Sequence, residues 1–108
     1  MGGTETKMNE MLKVMGGRGK GKTTYLVMRS ARTQTYILTL NKQRAKEISR
    51  IANNMGLYIP YPITLEEYLR DKLRGTFITN ILIDDADDIL QALFSPLKID
   101  AITMTLTE

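Results

Sequence analysis

Residues 16–23 read Gly16-Gly17-Arg18-Gly19-Lys20-Gly21-Lys22-Thr23, and this octet constrains the fold more tightly than any other stretch of the chain. It fits the pattern G-x-x-x-x-G-K-[ST] at every constrained position. Its glycines let the backbone curl so that successive N–H groups point inward at an anion. A helix that begins there adds the positive end of its dipole. The octet therefore predicts a phosphate-binding loop.

The residues on either side of the octet predict the arrangement that such a loop requires. Met11–Met15 is short and mostly apolar, as is typical of a strand, and Thr23 to Arg32 shows a helical pattern of apolar residues. Strand, glycine-rich loop and helix in this order form the phosphate-binding unit. In it, Lys22 can contact the β- and γ-phosphates, and the Thr23 hydroxyl can bind Mg²⁺. Arg18 either contacts phosphate or points to solvent. The predicted nucleotide contacts are Gly16, Gly17, Arg18, Gly19, Lys20, Gly21, Lys22, Thr23 and Thr24.

Segments typical of strands and helices alternate further along the chain. Thr35–Leu40 is short and rich in β-branched and aromatic residues, which favours a second strand. Asn41 can cap a helix that runs to about Met55, and Gly56 suits the residue that closes it. Leu57–Ile63 contains two prolines and predicts an edge strand or a coil.

The second half of the chain continues this alternation. Thr64 and Glu67 match a capping box, which predicts a helix that ends near Gly75. The apolar run Phe77–Ile83 predicts a strand whose core is buried on both faces. Two further elements are expected after it, a helix over Ala86–Phe94 and a last strand over Ile99–Leu106.

The order of these elements predicts the fold class. Alternating strands and helices indicate an α/β fold, here a three-layer α/β/α sandwich with a small, mostly parallel sheet. The chain has 108 residues, of which 43% are hydrophobic, enough for the core of one small domain. We expect residues 1–9 to form a flexible leader and residues 10–108 to form the domain.

Composition excludes several kinds of chemistry and location. The chain has no Cys and no His, so a disulfide framework, a thiolate metal site and a histidine base are excluded. Any general base must be a carboxylate or a positioned water. No apolar run approaches the ~20 residues that a membrane span needs, and the polar first ten residues do not form a signal peptide. We therefore expect no membrane partner and a cytoplasmic location, or the host cell cytoplasm if the chain is viral.

The charges are divided unevenly between the two halves. Residues 1–54 hold 11 Lys and Arg against 3 Asp and Glu, whereas residues 55–108 hold 4 against 9. A basic half can bind phosphate, either in a nucleotide or in DNA or RNA. The alternative is a solvated helix face, because four of the basic residues fall on the second predicted helix. They are Lys42, Arg44, Lys46 and Arg50.

The strand that precedes residue 84 ends in two acids. Ligands of parallel sheets lie beyond the carboxyl ends of the strands, so Asp84 is expected near the phosphate loop. There it can hold Mg²⁺, mainly through the water shell of the ion, and Asp85 can orient and deprotonate an attacking water. Alternatively, both acids simply mark the point where the strand leaves the core for solvent.

From Met11 onward the chain resembles the P-loop NTPases. The octet looks like their Walker A motif and Ile81–Asp84 like Walker B, while Ile83–Asp87 is similar to the Asp-Glu-Ala-Asp type box of helicases. Further stretches resemble the first motor domain of superfamily 1 and 2 helicases, namely residues 39–45, 63–69 and 101–105. The resemblance implies an ATP-binding, Mg²⁺-dependent core of the additional-strand class. In that class, the Walker B strand is not adjacent to the Walker A strand. Adenine rather than guanine is implied because no guanine-reading Asn/Thr-Lys-x-Asp motif is present.

Two departures from the helicase pattern bear on catalysis. The Glu that usually follows the Walker B acid is replaced by Asp85, whose carboxylate is set back by about one methylene. A shift of ~1 Å in a site can cost ~10²-fold in rate, so slow turnover is expected. We expect no second motor domain, which would supply an arginine finger, after the last resembling stretch. We therefore expect an oligomer or a protein partner to supply that arginine.

Three functions are compatible with these features. The first is a Mg²⁺-dependent ATPase that acts with nucleic acid or in a DNA-processing assembly, with Lys22 and Asp85 as catalytic residues. The second is a nucleotide-binding switch or scaffold that hydrolyses little. The third, ranked last because the chain is short for an acceptor site and a lid, is a small nucleoside-type kinase.

Overall fold

The computed structural model describes residues 20–71 and 73–105. The predicted strand Met11–Met15, the leader and Gly16 to Gly19 of the octet lie outside these residues. The described elements are α1 (Lys20–Thr33), β1 (Ile37–Thr39), α2 (Lys42–Asn54), β2 (Ile63–Thr64), α3 (Leu65–Leu69), β3 (Leu82–Ile83) and α4 (Ala86–Phe94).

The three strands form one parallel sheet in the order β2-β1-β3. Leu38 of β1 is aligned with Ile63 of β2 on one side and with Ile83 of β3 on the other. Parallel neighbours require crossover connections, and α2 and α3 lie in those connections. The predicted α/β class with a small parallel sheet is thus confirmed for the described part of the chain.

The core lies where α1 and α2 meet the sheet. Val27 of α1, Ile37 of β1 and Ile48 and Ala52 of α2 are buried together there. Leu82 of β3 packs against this cluster, so the two helices and two of the strands share one apolar interior. This packing determines where the end of β1 lies relative to the beginning of α1.

Helix α2 agrees with its predicted bounds because its end signals are local. The Asn41 side chain accepts a hydrogen bond from the Arg44 N–H at 2.9 Å, so it satisfies one of the free amides of the first turn. Met55 is the C-cap, and Gly56 follows with a φ of 69°, the left-handed conformation that favours glycine.

Helix α3 begins as predicted but is shorter. Its capping box is complete: Thr64 Oγ1 accepts from the Glu67 N–H at 3.1 Å, and Glu67 Oε1 accepts from the Thr64 N–H at 3.0 Å. The predicted end near Gly75 is wrong, because the helix ends at Leu69 and Asp71 adopts a φ of 65°. Leu69 is 59% exposed, so little apolar burial is available to extend the helix.

Two predicted strands are also corrected. The run from Phe77 forms a strand only at Leu82–Ile83, and Ile83 is 42% exposed, so burial on both faces is wrong. Residues 99–105 form no strand, although β-branched residues are frequent among them. Ile102 and Met104 are exposed there. β propensity reflects how side chains pack on a sheet, so these residues do not form a strand where they pack against none.

Candidate functional site

Asp84 lies at the carboxyl end of β3, next to the end of β1. Its backbone N–H donates to the carbonyl oxygen of Leu38 at 3.0 Å, which continues the pairing of β3 with β1 by one residue. The residue is only 4% exposed. The predicted position of this acid at the carboxyl edge of a parallel sheet is therefore the observed one.

The two oxygens of the Asp84 carboxylate face different elements. Oδ1 accepts a long hydrogen bond, 3.5 Å, from the Thr23 hydroxyl in the first turns of α1. Oδ2 accepts from the Thr39 hydroxyl, at the last residue of β1, at 3.3 Å. One carboxylate thus contacts two residues that are distant in the sequence: Thr23 is 61 positions before Asp84, and Thr39 is 45 positions before it.

The charge state of Asp84 reflects this crowded position. Burial raises the pKa of its carboxyl group, and the neighbouring charge of Asp85 raises that pKa further. The hydrogen bond from Thr39, the charge of Arg44 and the hydrogen bond from Thr23 lower it, but the net shift is upward. A buried acid of this kind is stabilised in its ionised form by a nearby metal cation.

Arg44, in the first turn of α2, binds the acids that follow β3. Nη1 forms an ion pair with Asp85 and lies 3.6 Å from Asp84 Oδ2, while Nη2 lies 3.0 Å from Asp88 Oδ2. The hydrogen bond to Asp85, together with the three negative charges, raises the pKa of the Arg44 guanidinium. Its side chain is 36% exposed, so this network lies at the rim of the site.

Asp85 connects β3 to α4 in an unusual backbone conformation. It has a φ of 54° and a ψ of 65°, the left-handed region, which Asp tolerates better than most residues. Although it is the N-cap of α4, its side chain makes no capping hydrogen bond. The carboxylate turns instead to Arg44.

The structure brings together part of the predicted site. Helix α1 begins at Lys20, three residues before the predicted start at Thr23, so the second half of the octet lies in its first turns. Thr23 contacts Asp84, and Lys22 and Thr24 are partly buried beside Thr23 in the chain. Their assignment to Mg²⁺ and nucleotide stays a prediction. Gly21 is exposed. Gly16, Gly17, Arg18 and Gly19 lie outside the described residues.

Two residues of the site were missed in the sequence. In the sequence, Thr39 stands out only as part of a helicase-like stretch, and Arg44 is one of four basic residues that either bind phosphate or form a solvated helix face. The sequence feature that could have placed both residues at the site is Asn41, which marks the beginning of α2. A strand that ends at Thr39 and a helix capped at Asn41 place residues 39 and 44 at the same edge of the sheet as Asp84.

The donor set can be compared with the needs of a metal ion. Among residues 20–71 and 73–105, no three or more carboxylate side chains are arranged to hold a metal. Mg²⁺ does not need such a cluster, because it keeps several waters and is usually bound by one or two carboxylates and by substrate phosphates. The Thr23 hydroxyl and the Asp84 carboxylate fit this ion.

Comparison of the chain with protein-family models, with curated proteins and with solved structures finds no match in any of the three. Within the part of the chain that the structure describes, no helix is both long and apolar enough to cross a membrane.

Proposed function

We propose that this chain binds ATP together with Mg²⁺ as a P-loop NTPase module. The observation that carries the proposal is the contact of Thr23 with Asp84, at 3.5 Å between Oγ1 and Oδ1. In P-loop NTPases the loop Ser or Thr and an acid at the end of a strand hold the same Mg²⁺ ion. In this chain the hydroxyl of the last residue of a glycine-rich octet contacts the acid that directly follows β3.

The phosphates belong at the beginning of α1. The octet ends within the first turns of that helix, where free N–H groups and the helix dipole favour an anion. Lys22, in the same turns, is assigned to the β- and γ-phosphates. The finer architecture that we infer is the three-layer α/β/α core of this family, acting in the cytoplasm or in the cytoplasm of a host cell.

Hydrolysis is assigned to Asp85, with Lys22 as the phosphate-binding catalytic residue. Asp85 directly follows the Mg²⁺ acid and is partly exposed. An arginine finger from a protein partner or a second copy, worth ~10³–10⁵ in rate, would complete such a site. We propose that ATP hydrolysis by this chain serves an assembly that acts on DNA or RNA.

One observation favours the second candidate, a nucleotide-binding switch with little hydrolysis. The Asp85 carboxylate is ion-paired with Arg44 and does not stand free toward an attacking water. A chain in this conformation binds nucleotide without turning it over readily.

Titration calorimetry with ATP and Mg²⁺ tests the binding proposal. The wild type should bind ATP, and Lys22→Ala should abolish tight binding because it removes the phosphate cation. Thr23→Ala and Asp84→Asn should lower the affinity for Mg²⁺ and so weaken the Mg²⁺ dependence of ATP binding. The loss should be at least ~10-fold, because even the outer-shell partners of metal ligands cost this much.

Matched controls use exposed residues of the same types outside the site. Lys98→Ala and Asp100→Asn should bind Mg²⁺ and ATP as the wild type does, since both side chains are exposed. If the wild type releases no heat with ATP and Mg²⁺, the proposal is wrong.

A further inference from the structure

The position of Arg44 indicates a role beyond nucleotide binding. Its guanidinium contacts Asp85 and Asp88 through different nitrogens, and Nη1 also lies 3.6 Å from Asp84. A planar guanidinium presents donors in a fixed fork, so one arginine can hold two carboxylates at once. Arg44 therefore connects the beginning of α2 with the turn between β3 and α4.

This connection affects Asp84 and Asp85 differently. Asp84 keeps Oδ1 directed toward Thr23, because Arg44 and Thr39 are on the side of Oδ2. Oδ1, the Asp84 oxygen that faces Thr23 and is assigned to Mg²⁺, is thus not bound by Arg44. Asp85, in contrast, has its carboxylate bound directly by the guanidinium, and its backbone is held in the left-handed region.

Resting on the proposed function, we propose that Arg44 is a positioning residue that withholds the Asp85 carboxylate from hydrolysis while leaving Mg²⁺–ATP binding intact. A general base must lie within hydrogen-bond distance of the water that it activates. In this structure Oδ2 of the Asp85 carboxylate accepts a hydrogen bond from Arg44 Nη1 instead. The release of Arg44 from Asp85 and Asp88 is the step that permits turnover.

Arg44→Gln tests the proposal by removing the charge and keeping a side chain of similar reach. The rate constant of ATP hydrolysis is measured in a single turnover, with protein in excess and without nucleic acid. The dissociation constant of Mg²⁺–ATP is measured in parallel by calorimetry. We expect the rate constant to rise by about tenfold or more, part of the ~10²–10⁴-fold that general-base catalysis contributes. The dissociation constant should change by less than about threefold.

Two further variants show whether the gain acts through Asp85. Arg44→Gln combined with Asp85→Asn should lose the gain, because no carboxylate is then released. Arg44→Lys should lie near the wild-type rate, since an ammonium pairs with one acid but lacks the fork. Lys98→Gln is the control, an exposed cation outside the site and outside α2, and should leave the rate unchanged.

The stability of the variants is followed by thermal melting, because Arg44→Gln leaves three acids without their cation. If that variant does not fold, Asp88→Asn replaces it. This change removes one of the two anchors of the guanidinium and should raise the rate by a smaller factor.

The outcomes separate this inference from the proposed function. If the wild type binds Mg²⁺–ATP but Arg44→Gln hydrolyses it no faster, or more slowly, the role assigned to Arg44 is overturned and the binding proposal stands. If the rise persists with Asp85→Asn, Arg44 does not act through Asp85. If the wild type binds no nucleotide, the binding titration overturns the proposed function and this inference with it.

Discussion

Asp84 is a buried acid in which the needs of function and of stability oppose each other. Its ionised form can hold a cation, yet burial and the charge of Asp85 make that form unfavourable when no cation is bound. Residues of this kind are common at functional sites, where activity is retained at a cost in stability.

The same balance predicts how stability depends on pH. The folded state raises the pKa of Asp84 above its ordinary value of 3.8, so the folded state binds this proton more tightly than the unfolded chain does. The stabilising contribution of Asp84 to the free energy of unfolding is therefore fully present below about pH 3.8 and is lost as pH rises through the folded-state pKa. Asp84→Asn should melt at a higher temperature than the wild type at pH 7 in the absence of Mg²⁺. The difference should shrink as pH falls toward 4.

Thermal melts across this pH range check the prediction, with Asp100→Asn as the control. Asp100 is exposed, so its variant should follow the wild type at each pH. A lower melting temperature for Asp84→Asn at pH 7 would contradict the account of Asp84.

At the scale of the element, α2 links the core to the site. Ala45, Ile48 and Ala52 are its buried residues, while its first turn carries Arg44. The helix begins where it does because Asn41 caps it, and this beginning determines which residue faces the acids after β3.

Removal of that cap should weaken the whole molecule. Asn41→Ala should lower the free energy of unfolding by ~1 kcal/mol, because it leaves the Arg44 amide without its side-chain acceptor. Denaturant unfolding measures this as a shift of the midpoint at constant slope. Asn41→Asp keeps an acceptor and should stay near the wild type, as should Asn53→Ala, an exposed position near the other end of α2. Equal losses for Asn41→Ala and Asn53→Ala would rule out a specific capping effect.

At the scale of the whole molecule, the distribution of charge indicates where a nucleic-acid partner could bind. The basic half of the chain includes α2, whose Lys42 and Lys46 are exposed and lie one turn apart. Arg44 does not belong to this basic surface, because it is paired with acids. A solvated face, one of the two predicted alternatives, is therefore wrong for Arg44, while for the two exposed lysines both alternatives stay predictions.

This surface predicts how the protein responds to nucleic acid. Single-stranded DNA should stimulate steady-state ATP turnover at low salt, and the stimulation should fall as salt rises, since phosphate contacts release counterions. Lys42→Gln combined with Lys46→Gln should reduce the stimulation, whereas Lys98→Gln should not. ATP binding without any turnover, with or without DNA, would instead support the switch.

Features encoded within a few residues could be predicted without a structure. The cap at Asn41, the capping box of Thr64 and Glu67 and the helix Ala86–Phe94 all lie where the sequence places them. Each depends on hydrogen bonds or spacing between residues that are close together in the chain. The acid at the end of β3 was predicted for a related reason, since a parallel sheet has one carboxyl edge.

Only the tertiary structure decided which distant side chains meet. The shortened α3, the two-residue β3 and the coil over residues 99–105 depend on what packs against them. The cap at Asn41 places Arg44 at the carboxyl edge of the sheet, but only the alignment of β1 with β3 brings it to the acids. Local hydrogen bonds are set by neighbours in the chain, whereas burial and ion pairing are set by neighbours in space.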